Sequence, residues 1–278
     1  MPIHDQGYRH YAGERTLHAR GWWVIARAGI IDRLRERRFL ALLLFAWSLF
    51  VMRAVQLYVG ATVARAIFFA PTEDTFHEFL NQQRLFVFFI TIYAGAGLIA
   101  SDRQSNALQI YLSKPMTRVQ YVGGKLVTLL IFLVAVTWLP AVLLVFLQMM
   151  FSGDTTFFSS HLLLIPAITL ACALQVCVAS TTMLALSSLS RSRRFVAMLY
   201  AGIILFTGAM DRALRLATGS RAWTWVSPQD TLTVVTDAIF GVSRDPALPL
   251  ALAVALLAAL VGVSIAVLER RVRAVEVV

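Results

Sequence analysis

Apolar residues along this chain gather into six long runs, at 39–60, 85–100, 126–150, 162–189, 195–210 and 247–268. Each approaches or exceeds the ~20 residues that a helix needs to cross a bilayer. The second and fifth are short and have to borrow residues from their flanks. A backbone in lipid must satisfy its own hydrogen bonds, and nothing here resembles the alternating segments of a membrane barrel, so all six runs predict helices. Pro140 and Pro166 lie within or beside runs, where membrane helices tolerate proline. The expected fold is all-α: a polytopic six-helix domain over 39–268, a leading segment 1–38 with an interfacial helix, and a basic tail 269–278.

Composition removes the main competitor. Of 278 residues, 59% are hydrophobic and 14% charged, with a mean hydropathy of +0.72. A soluble domain carries about 25% charged residues, so a water-soluble globule is excluded. The net charge of +10 would suggest nucleic acid in a soluble protein. Its distribution says otherwise. Six spans put both termini on one side, which then holds 18 Lys and Arg against seven acidic residues. The other side holds six against eight, and Arg53 lies inside the first run. That asymmetry places the termini and the loops 101–125 and 190–194 in the cytoplasm. The clusters Arg191, Arg193, Arg194 and Arg270, Arg271, Arg273 read as snorkelling side chains that meet anionic membrane lipids, with no nucleic-acid partner. The first 38 residues hold eight Arg and no apolar core of a signal peptide, so the N-terminus is expected to be retained. Cys172 and Cys177 sit about 140° apart around one helix and predict no intrahelical disulfide.

Ahead of the first run, Trp22, Trp23, Ala26, Ile30 and Leu34 share a helical arc, with Arg27 and Arg33 at its edges. This predicts a helix lying on the cytoplasmic leaflet, either as an anchor or as a lever on the first span. Between the second and third runs, Leu108, Tyr111 and Leu112 fall on one face at i, i+3 and i+4, and Pro115 stops the helix after Ser113. Such an apolar ridge offers a cytoplasmic protein something to grip.

The block that starts at Asp102-Arg103, passes Leu108, continues as Ser113-Lys114-Pro115-Met116-Thr117-Arg118 and closes at Gly124-Lys125 resembles, in order and spacing, the permease subunits of the ABC-2 family of ABC transporters, particularly their six-span branch. Asp102 stands where a Glu is more usual, and Asn106-Ala107 replaces the common Gly-Thr. The resemblance implies a permease that moves a substrate with ATP hydrolysed by a separate cytoplasmic ABC ATPase subunit. It also implies a second, identical or homologous, permease and a place in the plasma membrane of a prokaryote. Asp102, Arg103, Leu108, Tyr111, Leu112, Pro115, Arg118 and Lys125 become the ATPase-coupling residues, with Arg103 and Arg118 set to meet acidic groups. ATP and Mg would sit in the partner. This chain lacks G-x-x-x-x-G-K-[ST], so no cofactor is expected in it.

Inside the membrane, Arg53, Gln56 and Gln175 are the polar candidates for a pathway. Arg53 can instead snorkel to the outer headgroups, and Gln175 can tie two helices together. The connection 211–246 predicts short half-buried helices on the outer side. The resemblance makes it a re-entrant segment with Trp223 and Trp225 at a gate, whereas an interfacial aromatic belt explains the same tryptophans. Enzyme chemistry is poorly supported: His77-Glu78 opens a zincin-like motif, but Asn81 replaces its second ligand. A structural or assembly subunit that keeps this body without pumping is the alternative function.

Overall fold

The computed structural model describes residues 21–62, 73–107, 117–152, 163–242 and 248–272. The expected coupling helix, with Leu108, Tyr111, Leu112 and Pro115, lies outside them, as do residues 1–20 and 273–278. The described helices are α1 (Gly21–Arg35), α2 (Arg37–Thr62), α3 (Glu73–Ile90), α4 (Ala100–Gln104), α5 (Arg118–Val136), α6 (Trp138–Ser152), α7 (Leu164–Leu189), α8 (Arg193–Thr218), α9 (Pro228–Ile239) and α10 (Leu250–Arg271). Among the described residues six stretches are long and apolar enough to cross a membrane, so the all-α, six-span expectation is borne out. They are Arg37–Gly60, Thr75–Gln104, Arg118–Phe151, Leu164–Leu189, Arg193–Thr218 and Leu250–Arg271, spans 1 to 6. The second and fifth lengthen to 30 and 26 residues by taking in polar flanks.

Local chemistry sets the helix ends. Thr117 and Gln120 form a capping box: the Gln120 N–H donates to the Thr117 hydroxyl at 3.2 Å and the Thr117 N–H to Gln120 Oε1 at 3.1 Å. Ser227 caps α9 by accepting from the Asp230 N–H, with Pro228 at the first helical position. Gly219, at φ 64°, closes α8.

Over the 18-residue apolar stretch of each span, 61%, 50% and 56% of residues are buried in spans 2, 3 and 4 against 17% in each of spans 1, 5 and 6, so the former are the centre of the bundle. Ile90, Leu129, Leu133, Met183 and Leu184 pack together there. Phe76, Phe79, Leu144 and Ile168 fill one end, and Leu232, Val235 and Leu257 join α9 to spans 4 and 6.

Both of the first two central spans are broken. Span 2 passes from α3 through a π-helical turn, Thr91–Gly95, before α4. Span 3 breaks at Thr137, ahead of Pro140. Proline has no N–H to give the carbonyl four residues back, at Val136. The buried Gln83 supplies the donor from span 2, with Nε2 3.0 Å from Val136 O.

Helix α1 departs from the expected arc. Ala26 is buried on span 3, whereas Trp22, Trp23 and Leu34 stay exposed. The Thr128 hydroxyl lies 3.0 Å from Gly124 O and 3.4 Å from Ala26 O. A Cβ on Gly124 would stand 2.6 Å from the Trp22 carbonyl oxygen, and one on Gly29 2.9 Å from Thr128 Oγ1. Protein packing through two glycines, as well as any lipid contact, therefore holds α1.

Replacing Gln83 by Leu leaves the Val136 carbonyl without its donor and should cost about 1–3 kcal/mol. Combining it with Pro140→Ala restores a backbone N–H and should recover part of that loss. Thermal unfolding of both variants in detergent checks this. Equal stability of the single variant and the parent would refute the bond's role.

Candidate functional site

We call the end of the bundle that carries α1 and α4 the basic end. There the break in span 2 exposes backbone groups that a straight helix would pair. Ser187 of span 4 answers them: its hydroxyl accepts from the Ile99 N–H at 3.1 Å and the Ala100 N–H at 3.0 Å, and donates to Ala96 O at 3.0 Å. One buried hydroxyl thus satisfies three groups and turns the chain into α4.

Helix α4 presents Asp102 and Arg103. Asp102 Oδ2 accepts from Lys125 Nζ at 2.7 Å and from the buried Tyr121 hydroxyl at 2.8 Å. The Lys125 ammonium also lies 5.6 Å from the centre of the Tyr121 ring. This clasp joins the chain before the 105–117 connection to span 3 beyond it. Arg103 donates to the Ser188 carbonyl, at the C-terminal end of span 4, where the helix dipole favours a cation. Its charge is spent inside the chain, whereas Arg118 is exposed at the start of span 3.

A second polar chain crosses the same end. Arg33 NH1 pairs with Glu36 Oε1 at 2.7 Å, the Tyr93 hydroxyl favours the charged form of the Glu36 carboxyl, and Arg193 NH2 donates to Tyr93 O at 3.0 Å. The Arg193 guanidinium also covers the Tyr93 ring at 5.3 Å. Arg193 is therefore a bridge between the π-helical turn and span 5, correcting its assignment to lipid; Arg194 and Arg191 remain exposed. Burial alone would raise the Glu36 carboxyl, but the Tyr93 hydroxyl, Arg33 and Arg193 outweigh it and leave it below its ordinary 4.5.

At the opposite end, Arg53 is only 6% exposed, which corrects the snorkelling alternative. Its guanidinium meets Glu78 at 3.1 Å and Gln56 at 3.0 Å. Glu78 is open to its surroundings, so the pair contributes about 0–1 kcal/mol. Sequence reasoning missed a larger cluster beside it. The buried His77 lies 2.6 Å from Asp237 and 3.2 Å from the Asn81 amide. Arg84 donates to Thr233, to Thr236 Oγ1 at 3.0 Å and to Gln229 O at 3.3 Å. Arg215 pairs with the buried Asp211 at 2.7 Å and reaches Asp230 at 3.8 Å. Together they clip α9 to spans 2 and 5. The signal was present as two stripes of matching helical spacing, His77, Asn81, Arg84 and Gln229, Thr233, Thr236.

Gln175 is buried and lines an open cleft among spans 2, 4, 5 and 6. Among the described residues no hydrogen bond ties it to another helix. Trp223 and Trp225, 36% and 50% exposed, sit on a short 3-10 helix, Arg221–Val226, with ring centres 6.3 Å apart. They do not line that cleft. The structure thus gathers Asp102, Arg103 and Lys125 at one end but leaves Arg53 and Gln56, Gln175, and the two tryptophans at separate places. No group of three His, Cys, Asp or Glu able to hold a metal occurs among the described residues.

Six apolar helices around a twice-broken centre define a multi-pass, all-α membrane protein. The family description that matches is ABC-2 family transporter protein, over residues 23–271, and the chain belongs to that family. Permease domains of this kind are membrane components rather than ATPases. No curated protein matches the sequence.

The lowered Glu36 carboxyl gives the basic end a pH dependence. Its contribution is complete above the ordinary carboxylate range and is lost as pH falls below about 4.5, through its lower folded value. Acid titration of Trp22 and Trp23 fluorescence should show α1 loosening in that window, and Glu36→Gln should remove this step. Persistence of the step in the Gln variant would assign it elsewhere.

Proposed function

We propose that this chain is the permease subunit of an ABC-2 transporter, one half of a dimeric transmembrane unit served by two cytoplasmic ATPase subunits. The observation that carries the reading is the Asp102 clasp. It fixes both ends of the connection 103–118 against spans 2 and 3, so a force on that connection reaches the bundle instead of bending a loose loop. ATP and Mg are bound by the partner, and closure of the ATPases pushes on the ridge of Leu108 and Leu112.

The push has defined routes. Lys125 carries it to span 3, Arg103 to the end of span 4, and Tyr93 with Arg193 to span 5. The Glu36 pair connects α1. Cargo moves as the spans rearrange, and the excess of Lys and Arg at this end supports a cytoplasmic location for it and for both termini. The membrane that fits the family resemblance is the plasma membrane of a prokaryote.

Purified from its native membrane in gentle detergent, the chain should bring down a P-loop ATPase in near-equal amount. Leu108→Asp combined with Leu112→Asp should lower that recovery by about tenfold or more, as loss of an apolar anchor does. Transport should fall with it. Unchanged recovery and transport in the double variant would sink the docking assignment. Stable recovery of other membrane proteins with no ATPase would replace the permease by a structural subunit.

A further inference from the structure

Helix α1 packs on span 3 through Ile25 and Ala26, and much of the rest of its surface is uncovered. Trp22, Trp23, Val24, Ile31 and Leu34 are exposed, Val24 to 67%. A face turned to water rarely gathers so many large apolar side chains. Past the corner at Glu36 the chain continues into Leu40, Leu44 and Phe45, which are exposed on span 1. Within a membrane span such side chains face lipid. This continuity sets α1 at the edge of the hydrocarbon, the level that tryptophan favours.

The corner itself is cationic. Arg35 ends α1, Arg37 and Arg38 begin α2, and Arg27 lies about two turns back along α1. All four are exposed, and no described carboxylate is ion-paired with them. Arg33 adds nothing to this charge, because Glu36 holds it at 2.7 Å. Asp32 is the exposed acid of α1, so four guanidiniums stand against one carboxylate. A zwitterionic headgroup brings its own cation to such a corner, whereas an acidic headgroup does not. An acidic cytoplasmic protein would match the charge but not the apolar strip that adjoins lipid.

We infer that the α1–α2 corner is a docking surface for acidic phospholipid, with the phosphate beside Arg35, Arg37 and Arg38 and the acyl chains along Leu34, Leu40 and Leu44. Lipid held here also steadies Glu36, which sits between Arg35 and Arg37 and pairs with Arg33. An effect of this lipid on transport rests on the permease reading. The lipid site belongs to this chain alone.

The test reconstitutes the full chain in dioleoylphosphatidylcholine vesicles and replaces part of the lipid with dibrominated phosphatidylglycerol or dibrominated phosphatidylcholine. Bromine quenches nearby tryptophan, and subtracting the signal of a Trp22→Phe, Trp23→Phe variant isolates the share of that pair. Half-maximal quenching should need about fivefold less phosphatidylglycerol than phosphatidylcholine, the worth of one arginine near an anionic surface. Salt at about 0.5 M should shrink the difference. Arg35→Gln, Arg37→Gln and Arg38→Gln together should erase it, and the matching Lys triple, which keeps the charge, should retain it. Equal quenching by the two lipids in the parent, no quenching by either, a preference that survives the Gln triple, or one lost in the Lys triple would overturn the site. No ATPase is present in this measurement, so the two readings fail separately. Absent ATPase recovery with the lipid preference intact overturns the permease alone, and equal quenching with intact recovery overturns the lipid site alone.

Discussion

A backbone group stranded in hydrocarbon costs several kcal/mol, because no water can take the place of its missing partner. A bundle of straight helices avoids this cost, but this one has a π-helical turn and a bend in span 2 and a proline-linked break in span 3. Each break is affordable only because a polar side chain from another span reaches it. Ser187 answers Ile99, Ala100 and Ala96, Gln83 answers Val136, and Arg193 answers Tyr93. The polar side chains of the centre are thus the complement of its broken backbone, and spans 2, 3 and 4 cannot be separated without undoing several of these bonds together.

The same constraint explains where charge is found. Within the spans, charged side chains occur where an end or a break offers partners. Arg103 meets a helix C-terminal carbonyl, Lys125 meets Asp102, and Arg84 spreads its donors over three residues of α9. Small residues serve the complementary purpose of letting helices approach. A Cβ on Gly95 would stand 2.5 Å from Met183 Cγ, so span 4 reaches span 2 at its break only because that position is glycine. Ser187 lies one helical turn further along span 4, close enough to reach the freed backbone groups.

The sequence made the spans legible because run length is a one-dimensional signal: twenty apolar residues need no knowledge of their neighbours. The Asp102 and Lys125 positions were legible through the family block, and the family assignment stands on residues 23–271. Which polar residue answers which break was not legible. Gln83 and Val136 are 53 positions apart and Ser187 and Ile99 are 88 apart, and no local pattern announces either pair. Arg53 looked ambiguous because its partner, Glu78, belongs to a different span. The cluster around Arg84 escaped for a simpler reason. The apolar run starts at Leu85, which cuts His77, Asn81 and Arg84 off from the helix whose face they share.

Span 2 is engaged at both of its ends among the described residues. At the basic end, Asp102 and Arg103 hold α4 to spans 3 and 4. At the other, His77 and Arg84 hold α3 to α9, and Glu78 meets Arg53. Between them lie the π-helical turn and residues 96–99, whose backbone bonds run partly through the Ser187 side chain rather than along the helix. A rod anchored at both ends bends at its weakest section. The section here is the one whose hydrogen bonds are lent by span 4 and whose carbonyl at Tyr93 is held by span 5. Bending span 2 at this point therefore shifts spans 4 and 5 against α3, and those spans, with α3, supply walls of the cleft. The break placed at the centre of the bundle links the geometry of the basic end to the shape of the interior.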